Sequence, residues 1–166
     1  MFAPRGGLIA AGVTLLLVLG PAPIASGQRG GGTDITADLD GVRIKLADVA
    51  KWYCDDFEYP AIHCFSQPED EQRAMSFMAA ASTTPYVTVY EFTTYQGPYM
   101  HMSQDYSILG LIGWNDRISS LVIHNSPGAV FWTDWLYTGT RYSICCYTQL
   151  GSLGSFDNSF SSVFQN

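Results

Sequence analysis

Two hexapeptides, Asn-Asp-Arg-Ile-Ser-Ser at residues 115–120 and Asp-Asn-Ser-Phe-Ser-Ser at residues 157–162, decide the fold of this chain. They begin 42 residues apart, and each follows an aromatic-x4-Tyr-x-Gly pattern at the same offset. The pattern is formed by Tyr90, Tyr95 and Gly97 in the first copy, and by Trp132, Tyr137 and Gly139 in the second. A repeat of this kind is one supersecondary unit that does not bury its apolar face alone. We therefore expect two units packed against each other.

The half of the chain that contains the repeat, residues 85–166, has the composition of β-structure. It lacks lysine, and its apolar runs are short, β-branched or aromatic, and separated by Gly, Ser and Asn. Predicted strands lie at 86–90, 121–123 and 129–132, with a turn at 125–128. Short strands and a twofold repeat indicate a mainly β sandwich of two four-stranded Greek keys, at 85–124 and 127–166.

Both hexapeptides place oxygen-bearing side chains in one short loop. Each holds a carboxylate, an amide and at least two hydroxyls, and Ca²⁺ prefers about six to eight oxygen ligands. Asp, Asn and Ser also form turns through local hydrogen bonds, so loops without a metal are the alternative interpretation.

These features together resemble the βγ-crystallin family in its microbial, calcium-binding form, over roughly residues 85–166. Both hexapeptides match the family's calcium motif, Asn/Asp-Asn/Asp-x-x-Ser/Thr-Ser, at every constrained position. The resemblance implies that the aromatic residues pack over a folded hairpin. It also implies that each Gly of the pattern adopts a backbone conformation that a Cβ disfavours.

The resemblance further implies two calcium sites. The acidic pair, the carbonyl of the next residue and the hydroxyl of the fifth residue would be ligands in each loop. These residues are Asn115, Asp116, Arg117 and Ser119 in the first loop, and Asp157, Asn158, Ser159 and Ser161 in the second. Glu91 would complete the site of loop 157–162, and Thr133 that of loop 115–120. An acid is more typical than Thr at this position. The site of loop 115–120 would therefore bind calcium more weakly if the side chain of Thr133 is the ligand.

The resemblance also gives expectations for the final serines and for affinity. The last Ser of each hexapeptide is expected to brace its loop by hydrogen bonding. Few carboxylates per site predict a modest affinity, on the order of micromolar to sub-millimolar.

Residues 1–27 are predicted to be a secretory signal peptide. Arg5 precedes a 12-residue apolar stretch at 8–19, and Ala-Ser-Gly at 25–27 fits a cleavage site. We expect a secreted or periplasmic, envelope-associated protein. The net charge of the chain is −7. It argues against nucleic acid, and against membrane surfaces after signal cleavage, and it suits a cation.

Residues 28–84 differ from the repeat half and are expected to form a Gly-rich start followed by a small helical segment. Apolar residues at 44–53 are loosely spaced as in a helix. A second helix is predicted from Ser66 and Pro68, with acids in its first turn. Its apolar stripe would consist of Ala74, Phe77, Met78 and Ala81.

The four cysteines, Cys54, Cys64, Cys145 and Cys146, are expected to form disulfides if the chain is exported. Three connectivities are possible, and the short loop closed by Cys54–Cys64 is favoured. Adjacent strand residues point to opposite faces, so one of Cys145 and Cys146 would be a buried thiol. Alternatively, one or both join the N-terminal segment to the repeat domain.

No catalytic motif is present, so we expect no enzyme and no cofactor beyond calcium. His63, His101 and His124 lack metal-type spacing, and the pair Asp55-Asp56 would suit a glycosidase but is expected to be solvated. The main alternative function is a protein-binding module, such as a secreted protease inhibitor with structural calcium. The numerous aromatic residues leave carbohydrate as a further partner. In the inhibitor alternative, an exposed loop or residues 37–82 would dock to the target protease. As a third possibility, residues 37–82 act as a pro-segment or brace that covers the β-domain.

Overall fold

The computed structural model describes residues 34–78 and 84–166. The predicted signal peptide and most of the Gly-rich start lie outside the described residues. Within the described ranges, none of the helices has the length and apolar character needed to span a membrane.

The two repeats fold with the same strand pairing. Their strands are β5 Val87–Phe92, β6 Gln96–Met102 and β7 Ser120–Ile123 in the first copy, and β8 Ala129–Trp132, β9 Arg141–Ile144, β10 Gln149–Leu150 and β11 Ser162–Gln165 in the second. In each copy the first strand is central and pairs antiparallel with the second and the last. The predicted turn at 125–128 connects β7 to β8.

Each copy also contributes one short extended stretch to the sheet of the other. β10 from the second copy pairs with β7 of the first. In return, Tyr106 forms a bridge to Val163 in β11, with backbone hydrogen bonds of 2.8 and 2.9 Å. Trp114, Phe131 and Phe160 fill the shared core and are fully buried. This exchange is the pairing of two Greek keys, so the prediction of a mainly β, βγ-crystallin-like sandwich is confirmed.

The N-terminal segment extends the first sheet rather than standing apart as helices. It contributes β1 Thr36–Leu39, β2 Val42–Ile44, β3 Tyr53–Asp55 and β4 Ala61–Phe65. β3 pairs parallel with β6, which gives an eight-stranded sheet in the order β10-β7-β5-β6-β3-β4-β1-β2. The helical prediction for residues 44–53 holds only for a short 3₁₀ helix at Leu46–Lys51, because the stretch starts at the end of β2 and finishes at the start of β3. Val49 and Ala50 bury the apolar side of that short helix.

The second predicted helix is present as α1, Pro68–Met78, the single α-helix of the described residues. Its first turn holds three acids, as expected. One of them, Glu71, is turned inward and only 1% exposed. Ala81 and the side chains of Phe77 and Met78 lie outside the described part of the chain, so the apolar stripe stays a prediction.

All four cysteines are paired. Cys54 and Cys64 face each other across β3 and β4 and form the favoured disulfide. Cys145 and Cys146 are joined to each other, so the expectations of a buried thiol and of a link to the N-terminal segment are wrong. β9 ends at Ile144, and Cys146 has a φ of 45°. The alternation of an extended strand therefore does not apply to this pair.

Candidate metal centre

Both copies form the same folded hairpin between their first two strands. Thr94 and Tyr95 have φ of 57° and 61°, and Leu136 and Tyr137 have φ of 55° and 61°. Gly97 follows with a φ of 78°, and a Cβ there would lie 2.5 Å from the ring of Phe92. The glycine of the pattern is therefore required both by its backbone conformation and by the close approach of a side chain.

The last serine of each hexapeptide braces this hairpin. The Ser120 hydroxyl donates to the carbonyl of Phe92 at 2.6 Å and accepts from the Tyr95 amide at 3.0 Å. Ser162 makes the corresponding bonds to Asp134 and Tyr137, at 2.7 and 3.1 Å. Both serines are fully buried. The bracing role expected for the final Ser is thus observed in both copies.

The two hexapeptide loops are joined to each other by a reciprocal pair of backbone hydrogen bonds. The amide of Asp116 donates to the carbonyl of Phe160, and the amide of Asn158 donates to that of Ile118, both at 3.0 Å. Asp116 and Asn158 occupy the second position of their loops and have φ of 54° and 52°. The second residue of each loop, Asp116 or Asn158, therefore lies next to the other loop.

The first cluster of oxygen donors combines side chains from both copies. Asp116, Thr133 and Ser161 line one surface pocket together with Asp134 and two neighbours, Trp135 and Thr138. Thr133 Oγ1 and Asp134 Oδ2 both lie over Gly139, 2.5 and 2.6 Å from where a Cβ would be. Two carboxylates and two hydroxyls thus converge on one side of the second hairpin.

The second cluster is the repeat counterpart of the first. The buried Ser119 hydroxyl donates to Asn158 Oδ1 at 3.2 Å, across the two loops. Its amide donates to the carbonyl of Tyr90 at 3.0 Å, and Glu91 is the next residue of that strand. The carboxylate of Glu91 pairs with the guanidinium of Arg117. This cluster therefore holds a carboxylate that already has a cationic partner.

The structure brings only some of the predicted ligands together in these clusters. Thr133 lies in one pocket with Asp116. The serine at the fifth position of each loop lies with the second residue of the other loop, Ser161 with Asp116 and Ser119 with Asn158. Asp134 was missed because its counterpart at the same position of the first repeat is the apolar Phe92. Its position directly after Thr133 was the one available signal.

The remaining predicted side-chain ligands are engaged in other hydrogen bonds. The Asn115 amide oxygen accepts from Trp135 Nε1 at 2.8 Å, and the Ser159 hydroxyl donates to the carbonyl of Phe156 at 2.7 Å. Asp157 Oδ2 accepts from the side chain of its neighbour in the loop at 3.4 Å. The carbonyls of Arg117 and Ser159 accept no hydrogen bond from the described residues and are available as ligands.

The chemistry of these donors fits a hard cation. All are oxygens, and within residues 34–78 and 84–166 no three His, Cys, Asp or Glu side chains gather as a metal-binding group. A cation would therefore need the hydroxyl, amide and carbonyl oxygens as well as the carboxylates, the mixture that Ca²⁺ accepts. The first cluster has two carboxylates and no cationic side chain in its lining, so it suits a divalent ion better than the second.

Asp55 and Asp56 of the N-terminal segment are buried, which corrects the expectation that they are solvated. Asp55 and Asp56 are 2% and 0% exposed. The Asp56 carboxylate accepts from the Ser103 amide at 2.6 Å, the Gln104 amide at 3.2 Å and the Tyr106 hydroxyl at 2.8 Å. Burial raises the pKa of Asp55 to about 6 and also raises the pKa of Asp56. The Asp56 carboxylate therefore secures the N-terminal segment to the repeat domain.

Two histidines share one hydroxyl in the first sheet. Thr88 Oγ1 lies 2.6 Å from both His101 Nδ1 and His124 Nε2, and His101 Nε2 lies 3.3 Å from Glu71 Oε1. The row resembles an acid–histidine–hydroxyl arrangement, but Thr88 is fully buried on the central strand. Burial also lowers the pKa of His124. The hydroxyl is occupied by the two rings, so this row is part of the interior.

Comparison with known proteins finds solved structures that are similar to about half of this chain. No family model matches the chain, and no curated protein matches it. A βγ-crystallin from Ciona intestinalis is 25% identical, with a TM-score of 0.44, over 48% of this chain and 98% of that protein. A βγ-crystallin from an archaeon is 28% identical, with a TM-score of 0.44, over 50% and 99%. A domain of the same kind from Flavobacterium johnsoniae is 26% identical, with a TM-score of 0.42, over 47% and 90%.

These neighbours are of the kind that the two hexapeptides resemble, and the match spans nearly the whole of each. The fold assignment itself rests on the strand exchange, the folded hairpins and the serine braces described above.

Proposed function

We propose that residues 85–166, which form a βγ-crystallin domain, bind Ca²⁺ at two composite sites and that this binding stabilises the fold of an exported protein. The observation that carries the proposal is the cross-loop arrangement of the donors. Asp116 shares a pocket with Ser161 and Thr133 from the second copy. Ser119 contacts Asn158 from the other loop. In each of the two clusters, oxygen donors from distant parts of the sequence therefore lie close together.

The two sites are not equivalent. Asp116, Asp134, Ser161 and Thr133 would hold the ion at the first site. Ser119, Asn158 and Glu91 would hold it at the second, where the charge of Arg117 opposes a cation. Carbonyls of the two loops would complete both. We therefore propose that the first site is the tighter one, although Thr133 occupies the position where an acid is more typical.

The function that follows is stabilisation by linkage. Bound Ca²⁺ would supply positive charge that neutralises the convergent carboxylates and fixes both loops in one arrangement. A ligand that binds the folded state alone adds RT ln(1 + [L]/Kd), or about 2.7 kcal/mol at a hundredfold excess over Kd. Since each site uses both repeats, this stabilisation would act on the packing of the two Greek keys.

We also propose that the protein works outside the cytoplasm, secreted or in the periplasm or envelope. The signal-like residues 1–27 support export, and so do the paired cysteines Cys54–Cys64 and Cys145–Cys146, because disulfides persist in oxidising compartments. Extracellular and periplasmic calcium would then be available to sites of modest affinity.

Calorimetric titration of residues 28–166 with CaCl₂ tests the proposal. The wild type is expected to bind two ions with unequal affinities and to melt at a higher temperature when calcium is present. The double variant Ser119→Ala, Ser161→Ala should lose most of both effects. Ser143→Ala, an exposed serine on β9, serves as the matched control and should behave as the wild type. No heat and no calcium-dependent rise in Tm would refute the proposal.

A further inference from the structure

A cavity of about 540 Å³ lies where helix α1 meets the first sheet. None of the residues assigned to the calcium sites lines it. Its lining comes from α1 and β3 of the N-terminal segment and from β5, β6 and the folded hairpin of the first repeat. The cavity is within the size range of small-molecule sites, and its lining can therefore be compared with the chemical classes of ligand it could bind.

Four tyrosines give this cavity an aromatic lining. The ring centroids of Tyr53 and Tyr99 are 5.2 Å apart, those of Tyr99 and Tyr90 are 5.6 Å apart, and those of Tyr90 and Tyr95 are 5.6 Å apart. The rings are tilted or edge-on to one another rather than stacked flat. The faces of aromatic rings attract cations, and attraction increases as water is excluded.

The carboxyl of Glu71 lines the same cavity and is only 1% exposed. Its Oε2 accepts from the Tyr99 hydroxyl at 2.8 Å. Its Oε1 has no hydrogen-bond partner among the described residues, and the nearest donor atom is His101 Nε2 at 3.3 Å. That ring is held on its other side by Thr88. A buried acid with an unpartnered oxygen is costly unless a donor or cation reaches it.

No lysine or arginine is among the residues that line the cavity. Arg73, the basic residue of α1, is exposed and pairs with Asp70 instead. The cavity therefore combines several π-faces with one incompletely partnered carboxyl, and His101 is the one basic side chain in its lining. A neutral polyol would use the aromatic faces but would leave the need for positive charge unmet.

We propose that this cavity binds a small organic cation through an alkylammonium group, with the ammonium between the tyrosine rings and the carboxyl of Glu71. The N-terminal segment then has a role beyond extending the sheet, since it supplies the carboxyl and one ring. The proposal does not depend on calcium binding, because no residue is shared between the two assignments.

Titration of residues 28–166 with choline, followed by calorimetry and tyrosine fluorescence, tests this assignment. The matched ligand is 3,3-dimethylbutan-1-ol, which has the shape of choline without the charge. Choline is expected to saturate one site, and the neutral isostere to bind at least about tenfold more weakly, equivalent to 1.4 kcal/mol. Equal binding of the two, or no saturable binding of choline at tens of millimolar, would overturn the proposal. Saturation by a neutral sugar with choline silent would overturn it as well.

Variants locate the site. Glu71→Gln should weaken choline binding about tenfold or more, while Glu69→Gln, an exposed acid of the same helix, should leave it unchanged. Because Glu71→Gln alters a buried residue, Gln72→Glu provides a test at an exposed position that also lines the cavity. This added carboxylate should tighten choline binding, and unchanged binding in Gln72→Glu would contradict the assignment.

Discussion

The backbone amide of Asp116 donates a hydrogen bond to the carbonyl of Phe160 at 3.0 Å, so the two hexapeptide loops are paired across the molecule. The corresponding bond from Asn158 to Ile118 completes the pairing. Each loop therefore presents its second residue to the serine of the other. A cation bound at either site would contact both Greek keys, which is why calcium and fold stability are expected to be coupled.

Removal of the positive charge beside the second site should increase the affinity of that site for calcium. Arg117 pairs with Glu91, whose side chain is 20% exposed, and a cation there competes with a divalent ion for the same carboxylate. We expect Arg117→Gln to raise calcium affinity at the weaker site about threefold to tenfold at low ionic strength, and less at high salt. Calorimetric titration measures this. Arg73→Gln, at an exposed ion pair on α1, should leave both affinities unchanged, and weaker binding in Arg117→Gln would show that Arg117 positions Glu91 instead.

The serine braces should matter for stability without calcium. Ser120→Ala leaves the carbonyl of Phe92 and the amide of Tyr95 without their partner in a buried position. We expect Ser120→Ala and Ser162→Ala each to lower the free energy of unfolding by about 2 kcal/mol, measured by urea denaturation in EGTA. Ser143→Ala is the control. A loss that appears only when calcium is present would contradict the bracing role.

The sequence predicted the repeat half well because its constraints are local. Gly97, Tyr95 and the final serines occupy fixed positions of one hairpin, and the repeat shows each constraint twice. The division of the donors was not predictable in the same way. Which loop Ser161 faces is decided by the packing of one Greek key on the other, and neither local propensity nor spacing contains that information.

The N-terminal half was predicted poorly for a related reason. β3 is three residues long and is stabilised by its pairing with β6, more than 40 positions away. The apolar spacing at 44–53 is compatible with a single short turn of helix, and only the non-local pairing shows where that turn ends. The burial of Glu71 was hidden because an acid in the first turn of a helix is normally exposed.

The stability of the protein should fall as the pH rises from 4 to 6 because of Asp55. Burial raises the pKa of this carboxyl from 3.8 to about 6, so the folded state keeps the proton that the unfolded state loses. Stability from this group is full below about pH 4 and is lost above about pH 6, by roughly 3 kcal/mol. Asp55→Asn should therefore raise the free energy of unfolding by about 2–3 kcal/mol at pH 7 and change little at pH 3.5.

Urea denaturation between pH 3.5 and 8 measures the effect of Asp55→Asn. Asp34→Asn, at an exposed position, is the control and should retain the pH dependence of the wild type. An Asp55→Asn protein whose stability changes with pH as steeply as that of the wild type would contradict the assignment to Asp55.

Asp56 should be essential for the attachment of the N-terminal segment. Asp56→Ala removes the acceptor for the Ser103 and Gln104 amides and for the Tyr106 hydroxyl. We expect a loss of about 3–5 kcal/mol in the free energy of unfolding. Asp48→Ala, at an exposed ion pair with Lys51, should cost less than about 1 kcal/mol. A similar small cost for Asp56→Ala would mean that these buried donors have other acceptors.

The most direct test of the composite sites is the number of calcium ions bound by two double variants. Asp116→Asn with Ser161→Ala combines changes from different loops that belong to one site. Asp116→Asn with Ser119→Ala combines changes within one loop that belong to two sites. Calorimetric titration of residues 28–166 should show one remaining ion for the first pair and impaired binding at both sites for the second. The reverse, with one intact site in the same-loop variant and two damaged sites in the cross-loop variant, would contradict the account.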